Sequence, residues 1–325
     1  MRRRILIAVI IVVGAGALAF YLLTMPRGLG AAALPNHRPD LANGAYLFTA
    51  GGCASCHAAP DIGDAEKTTV LAGGQALVSP FGTFYVPNIS PDKDHGIGAW
   101  SALDFVNAMK FGVAPGGRHL YPSFPYTSYQ RMSVEDLMDL KAYLDTLPPV
   151  ASDAPPHALP FPFNIRRGLG LWKLLYVDGR TLDSSTLSPL HARGAYLVEA
   201  LGHCGECHTP RNLIGGPVGG RTFAGGRSPD GSGRIPNITP DPTGIGDWSE
   251  SDIAAALASG FTPDFDSLGG MMAKVVRNTA QLTAEDRAAI AAYLKSLKPI
   301  TSDDSSGRSG RDRDDDRRGR DGDDD

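Results

Sequence analysis

Two pentapeptides constrain this chain more than any other feature: Cys53-Ala54-Ser55-Cys56-His57 and Cys204-Gly205-Glu206-Cys207-His208. On a helical turn residues i and i+3 share a face, so two sulfurs placed there reach one edge of a flat macrocycle while the next side chain turns over its plane. Cys-x-x-Cys-His is the attachment pattern of a c-type haem, with both thiols bonded to the porphyrin and the imidazole on the iron. A thioredoxin-like pair or half of a zinc site competes for a lone Cys-x-x-Cys, and a zinc ribbon wants its second pair roughly 15–20 residues on. Here the second pair stands in the other half of the chain, each pair has its own histidine, and no cysteine lies outside the two motifs. The expectation is two covalent haems c, attached through Cys53, Cys56, Cys204 and Cys207, with His57 and His208 as iron ligands.

At 325 residues the chain exceeds a typical single domain, and it is long enough for two small cores. A repeat divides it. Gly44-Ala45-Tyr46-Leu47 precedes Cys53 as Gly194-Ala195-Tyr196-Leu197 precedes Cys204, with one residue's difference in offset. Pro87-Asn88-Ile89-Ser90-Pro91-Asp92 returns as Pro236-Asn237-Ile238-Thr239-Pro240-Asp241, and Gly96-Ile97-Gly98-Ala99-Trp100 as Gly244-Ile245-Gly246-Asp247-Trp248. The chain is a tandem duplication. Each copy ends in an amphipathic helix with a start signal, Ser133 with Asp136 and Thr283 with Asp286. Pro148 and Pro299 stop those helices. Few strand signals appear, so the expected fold class is all-α, about three helices around each haem.

Arg2, Arg3 and Arg4 precede an uncharged apolar run from Ile5 to Met25, which at about twenty residues can cross a bilayer with its amino end in the cytoplasm. Residues 1–27 read as a retained anchor, with a cleaved signal as the alternative. The body then faces the periplasm of a bacterial inner membrane, in keeping with the absence of spare thiols. Residues 28–40 read as a tether, 41–150 as the first haem domain, 151–190 as an interdomain strap, 191–300 as the second haem domain and 301–325 as a disordered tail. That tail holds ten aspartates and six arginines, which account for the net charge of −4. The folded part is near neutral, and nothing argues for nucleic acid. His37, His95, His157, His191 and His203 sit in loops or termini and are expected at the surface.

A thioether suits an electron-transfer haem because it stabilises ferrous iron. Twelve residues beyond Gly260 stands Met272; twelve beyond Gly112 stands Phe124, which cannot ligate. Met272 is the expected sixth ligand of the second haem, ahead of its neighbour Met271. For the first haem Met132 leads, although it aligns with Leu282 at an ordinary packing position; His119, Met109, Met138 and an open site stay in play.

With these motifs the chain resembles the periplasmic di-haem cytochromes c related to the cytochrome subunits of membrane-bound alcohol, gluconate and aldehyde dehydrogenases. The resemblance rests also on Leu120 to Tyr126, Phe161-Pro162-Phe163, Gly202-His203-Cys204 and Cys207-His208-Thr209-Pro210, and covers roughly residues 40 to 300. It implies two tandem cytochrome c domains and a carrier that takes electrons from a periplasmic dehydrogenase and delivers them to quinone, a terminal oxidase or another cytochrome. It departs in lacking the third haem of many such subunits and in having Phe124-Pro125-Tyr126 where many have Met-Pro-Tyr. A carrier needs no catalytic residue of its own. The rival class is a di-haem enzyme of peroxidase or thiosulfate dehydrogenase type, in which one iron is open to substrate.

Overall fold

The computed structural model describes residues 1–60, 69–231 and 233–302, so nearly all of the expected disordered tail lies outside the described residues. Helix α1, Arg2–Leu23, buries none of its side chains and is long and apolar enough to cross a membrane. It ends at Thr24, which is fully buried because the body grips it. Arg167 donates from Nε to Thr24 Oγ1 at 2.8 Å and from a terminal nitrogen to the Tyr21 carbonyl at 2.9 Å. Gly170 passes so close that a Cβ there would stand 2.5 Å from Thr24 Cα. The segment 28–40, expected as a tether, is laid along the first half: Leu29 and Asn107 exchange two hydrogen bonds of 2.7 and 3.2 Å, and His37 pairs with Asp139 at 2.6 Å.

The first half runs through α2 (Leu41–Ala50), α3 (Cys53–His57), α4 (Ala102–Phe111), α5 (Tyr126–Tyr129) and α6 (Val134–Leu144). The strap contributes α7 (Leu169–Tyr176). The second half repeats the plan with α8 (Pro189–Ala195), α9 (Cys204–His208), α10 (Glu250–Ser259), α11 (Gly270–Thr279) and α12 (Ala284–Ser296). Strand is confined, among the described residues, to short antiparallel hairpins such as β1 (Ala76–Ser79) with β2 (Gly82–Tyr85); the fold is all-α. The one-residue difference between copies has a local solution. In the second half α8 continues as a π-helical turn over Tyr196–Leu201, which takes up the extra residue before Cys204 without rotating the tyrosine and cysteine out of phase.

In each half the first and last helices cross at a glycine. A Cβ on Gly44 would stand 2.3 Å from the Asp139 carbonyl oxygen, and one on Gly194 would stand 2.0 Å from that of Ala289. The backbones touch there, and only hydrogen fits. Both α4 and α10 start with complete capping boxes, Ser101 with Asp104 and Ser249 with Asp252. In α6 and α12 the cap hydroxyls likewise accept from Asp136 and Asp286 N–H, each at 3.1 Å, but the aspartate side chains turn away. Asp286 takes Arg193 at 2.8 and 2.6 Å, and Asp136 takes Asn43 at 2.8 Å. Each then accepts from a tyrosine of the opposite half: Tyr46 donates to Asp286 and Tyr196 to Asp136. The contacts are reciprocal, as across an isologous dimer interface, and buried side chains of both halves form one continuous core.

The strap is bonded to both halves. Lys173 Nζ donates to the Gly112 carbonyl at 2.5 Å, Gln130 donates to the Tyr176 carbonyl at 3.1 Å, and Trp172 Nε1 donates to the Ile214 carbonyl at 3.0 Å.

Replacing Gly194 by Ala must push two helices apart, and it should cost about 3 kcal/mol in a denaturant titration, as overpacking does elsewhere. Burial works to raise the Asp286 carboxyl, yet hydrogen bonds from Arg193 and Tyr46 outweigh it and leave the pKa below the ordinary value. Its stabilising contribution is therefore complete above the unfolded carboxylate pKa of about 3.9 and lost as pH falls through the lower folded value. Denaturation midpoints of the wild type should fall over that window, and Asp286→Asn should fall less.

Candidate functional site

Each Cys-x-x-Cys-His segment is a five-residue helical turn entered through left-handed backbone, at Gly52 (φ 64°) in the first half and at His203 (φ 42°) in the second. The repeated Pro-Asn-Ile segments explain themselves here. His57 Nδ1 lies 2.8 Å from the Pro87 carbonyl oxygen, and His208 Nδ1 lies 2.8 Å from that of Pro236. A carbonyl only accepts, so Nδ1 carries the proton and Nε2 is left with its lone pair. That is the tautomer an iron requires. Loss of water pulls the His57 pKa down to about 4, and that of His208 also downward, so both rings are neutral.

The loops carrying those carbonyls are themselves clamped. Asn88 Nδ2 donates to the carbonyls of Val150 and Ser152 at 2.7 and 2.9 Å, while its oxygen accepts from Ser90 N–H at 2.8 Å. Asn237 does the same work in the second half, donating to the Ile300 carbonyl at 2.7 Å and accepting from Thr239 N–H at 2.8 Å. Burial raises the thiols of Cys53 and Cys204 to about 12. No three His, Cys, Asp or Glu side chains converge on a metal cage among the described residues. The donor set fits a covalent haem.

The two turns face each other across the seam. Ser55 and Glu206 occupy the same motif position, and each is bonded by the other half: Asn278 donates to Ser55 Oγ at 2.8 Å, and Thr127 and Ser128 donate to Glu206, the latter at 3.1 Å. Arg211 pairs with the second Glu206 oxygen at 2.6 Å. Between the turns, the buried Tyr129 ring meets His203 edge-on at 5.5 Å. Burial raises the Tyr129 hydroxyl far above its ordinary pKa, with Cys53, Cys56 and Glu206 close enough to push the same way. Burial likewise raises the Cys207 thiol, with Glu206 and Cys56 pushing the same way.

Among the expected sixth ligands, Met272 and Met271 point apart. Met272 shares its face of α11 with Val276 and Thr279, whose hydroxyl donates to the Leu257 carbonyl at 2.6 Å, inside the second half. Met271 is 53 % exposed and shares its face with Asn278, which reaches the first half. Met132 is fully buried in the first half's core, at the end of a turn whose Gln130 and Met132 carbonyls accept from Lys110 Nζ at 2.5 and 2.8 Å. Phe124 packs on Tyr129 with centroids 5.6 Å apart. The alternative His119 has both ring nitrogens engaged, Nε2 against the Thr24 carbonyl at 2.9 Å and Nδ1 against Lys173 Nζ at 3.1 Å. Surface residence fails for three other histidines. His37 is tied to Asp139, His157 accepts from Tyr85 N–H at 3.1 Å, and His203 lies in the seam. The signal for His203 was its place opposite Gly52 in the repeat.

A Cys-x-x-Cys-His turn closed by two terminal helices crossing at a glycine, present twice, defines the class of helical proteins that hold haem covalently. The chain belongs to the cytochrome c family, which residues 41–148 and 191–298 match in turn, and with the two domains go two covalent haems c. It is 52% identical over 300 residues to a diheme cytochrome c-type protein of Cereibacter sphaeroides, covering 92% of this chain and 100% of that one. It is 40% identical over 265 residues to the fructose dehydrogenase cytochrome subunit of Gluconobacter japonicus, covering 80% of this chain and 53% of that subunit. A gluconate 2-dehydrogenase cytochrome c subunit of Pantoea cypripedii is 37% identical over 264 residues, covering 78% of this chain and 58% of the subunit. The chain thus spans about half the length of those two dehydrogenase subunits.

Asn88→Ala would leave the Ser152 carbonyl and the Ser90 amide without the partner they have in Asn88, and would leave the Val150 carbonyl with the Ser152 amide as its donor. A loss of about 2–3 kcal/mol is expected, the cost of buried unsatisfied groups, measured as a shift in denaturant midpoint.

Proposed function

We propose that this chain is an electron-transfer protein, anchored in the bacterial inner membrane through α1, whose two haems pass single electrons from a periplasmic dehydrogenase to the respiratory chain. Quinone, a terminal oxidase or another cytochrome is the acceptor. In this reading Cys53 and Cys56 attach the first haem and Cys204 and Cys207 the second. His57 and His208 would hold the irons, and Met132 and Met272 would supply each iron's second protein ligand.

What carries the reading is the reciprocal seam, in which each Cys-x-x-Cys-His turn is bonded by the other half and Tyr129 and His203 meet between them. The haem iron, when bound, supplies the one-electron couple. The chain's own residues do the rest: Pro87 and Pro236 hold the imidazoles in one tautomer, the clamped loops keep them from moving, and the dry core limits reorganisation. The names of the dehydrogenase subunits among its relatives support a dehydrogenase as donor. The three arginines before the apolar run of α1 support a cytoplasmic amino end and a periplasmic body.

Each haem with a thioether ligand should contribute to the near-infrared sulfur-to-iron charge-transfer band of the oxidised protein. Met132→Ala and Met272→Ala should each remove about half of it, as expected for two Met-ligated irons, and Met271→Ala should leave it intact. Persistence of the full band in both of the first two variants would refute the ligand assignment. For the function itself, tagged holoprotein solubilised from its native membranes should bring down a dehydrogenase whose substrate reduces both haems. Recovery without any oxidoreductase, together with stoichiometric carbon monoxide binding at one ferrous haem, would favour the di-haem enzyme.

A further inference from the structure

We infer that the strap between the two halves carries a second membrane-contact face, which lies in the lipid interface beside the exit of α1 and sets how the haem domains stand on the bilayer. The inference rests on the reading of α1 as a membrane anchor. Leu171, Leu174 and Leu175 line one side of α7 at spacings of three and one residues, and all are exposed, Leu175 to 67 %. The other side is spoken for: Gly170 abuts Thr24, and Lys173 is buried on the Gly112 carbonyl. The helix thus turns three leucines outward while Gly170, Trp172 and Lys173 face the body. Just upstream Phe161, Phe163 and Ile165 are also exposed, Phe161 to 78 %. So large a bare apolar patch on a folded body marks an interaction surface.

Position selects lipid as the occupant. The 22 residues of α1 make a helix about 33 Å long, which matches a hydrocarbon layer of about 30 Å and leaves Thr24 at headgroup level. Gly170 touches Thr24, and Arg167 holds both Thr24 and Tyr21, so α7 begins at that level. An eight-residue helix is only about 12 Å long, and its leucines cannot stand far from the interface. Aromatic rings beside arginines, here Phe161 and Phe163 with Arg166 and Arg167, are the usual composition of an interfacial segment. The apolar face of the strap therefore continues the lipid surface of α1.

If all four native cysteines carry haem, an introduced cysteine is the holoprotein's sole free thiol. The full chain, with Leu175→Cys, Ser251→Cys or Val12→Cys, is placed in nanodiscs of phosphatidylcholine and phosphatidylglycerol and treated with a membrane-impermeant maleimide, each rate being normalised to that of the same variant in urea. Ser251 is an exposed residue of α10 and serves as the aqueous reference. The thiol at 175 should react about tenfold more slowly than that at 251, as a side chain seated among acyl chains would, and the thiol at 12 should be protected. Equal rates at 175 and 251 with position 12 protected would overturn the inference and leave the anchor standing. Ready labelling at 12 would remove the anchor and the inference with it. Protection at 175 that appears only when copies crosslink to one another, or only after a dehydrogenase is added, would assign the face to a protein and also overturn it.

Discussion

Two tyrosine hydroxyls crossing between the halves, Tyr46 to Asp286 and Tyr196 to Asp136, tie together every other feature of this fold. Each aspartate is at once the third residue of a carboxy-terminal helix, the partner of the helix that crosses it and the acceptor for the opposite half. Taking away Tyr196 would leave Asp136 to Asn43 and taking away Tyr46 would leave Asp286 to Arg193, each losing the hydrogen bond that reaches the other half. The same arrangement fixes the angle at which α2 and α8 leave the seam. The Cys-x-x-Cys-His turns follow directly from those helices, so the seam also fixes where the haem edges can lie.

Symmetry at the seam does not make the two sites equivalent. Ser55 puts a neutral hydroxyl beside the first turn, whereas Glu206 with Arg211 puts an ion pair beside the second. Gly52 makes room for the Asn278 amide, whose nitrogen would stand 2.7 Å from a Cβ there, whereas His203 at the matching position sets an imidazole against Tyr129. Charge and hydrogen bonding near a covalent haem are levers on its reduction potential, and the duplication has varied them where the halves meet while keeping the prolyl carbonyls behind the imidazoles unchanged. In the proposed carrier this gives the two haems different electrostatic surroundings within one rigid core.

The body is also less free of α1 than a tethered domain would be. Thr24, Arg167, His119 and Lys173 form a buried knot in which burial pulls Lys173 down to about 7 and His119 below its ordinary value. Such a knot transmits the orientation of α1 to the first half. It also explains why His119, legible in the sequence as a possible ligand, is spent elsewhere.

What the sequence determined by itself is the local chemistry and the count. Spacing of three between thiols, a histidine next to them, apolar positions at helical period and cap residues are short-range facts, and they specified two covalent haem turns, all-α halves and a membrane-length helix. The duplication legible in Gly-Ala-Tyr-Leu and Pro-Asn-Ile gave the domain plan and set Met272 against Phe124. Only the tertiary structure decided what those repeated residues were for. Tyr46 and Tyr196 bond across the seam, and Pro87 and Pro236 orient imidazoles about thirty residues away. It also moved His203, His37 and His157 from the expected surface into contacts, and it turned Met271 and Met272 to different neighbours. The physical reason is that a side chain's partner, unlike its helix period, depends on chain segments 28 to 240 residues distant, and single-chain pattern carries no record of which of them will meet.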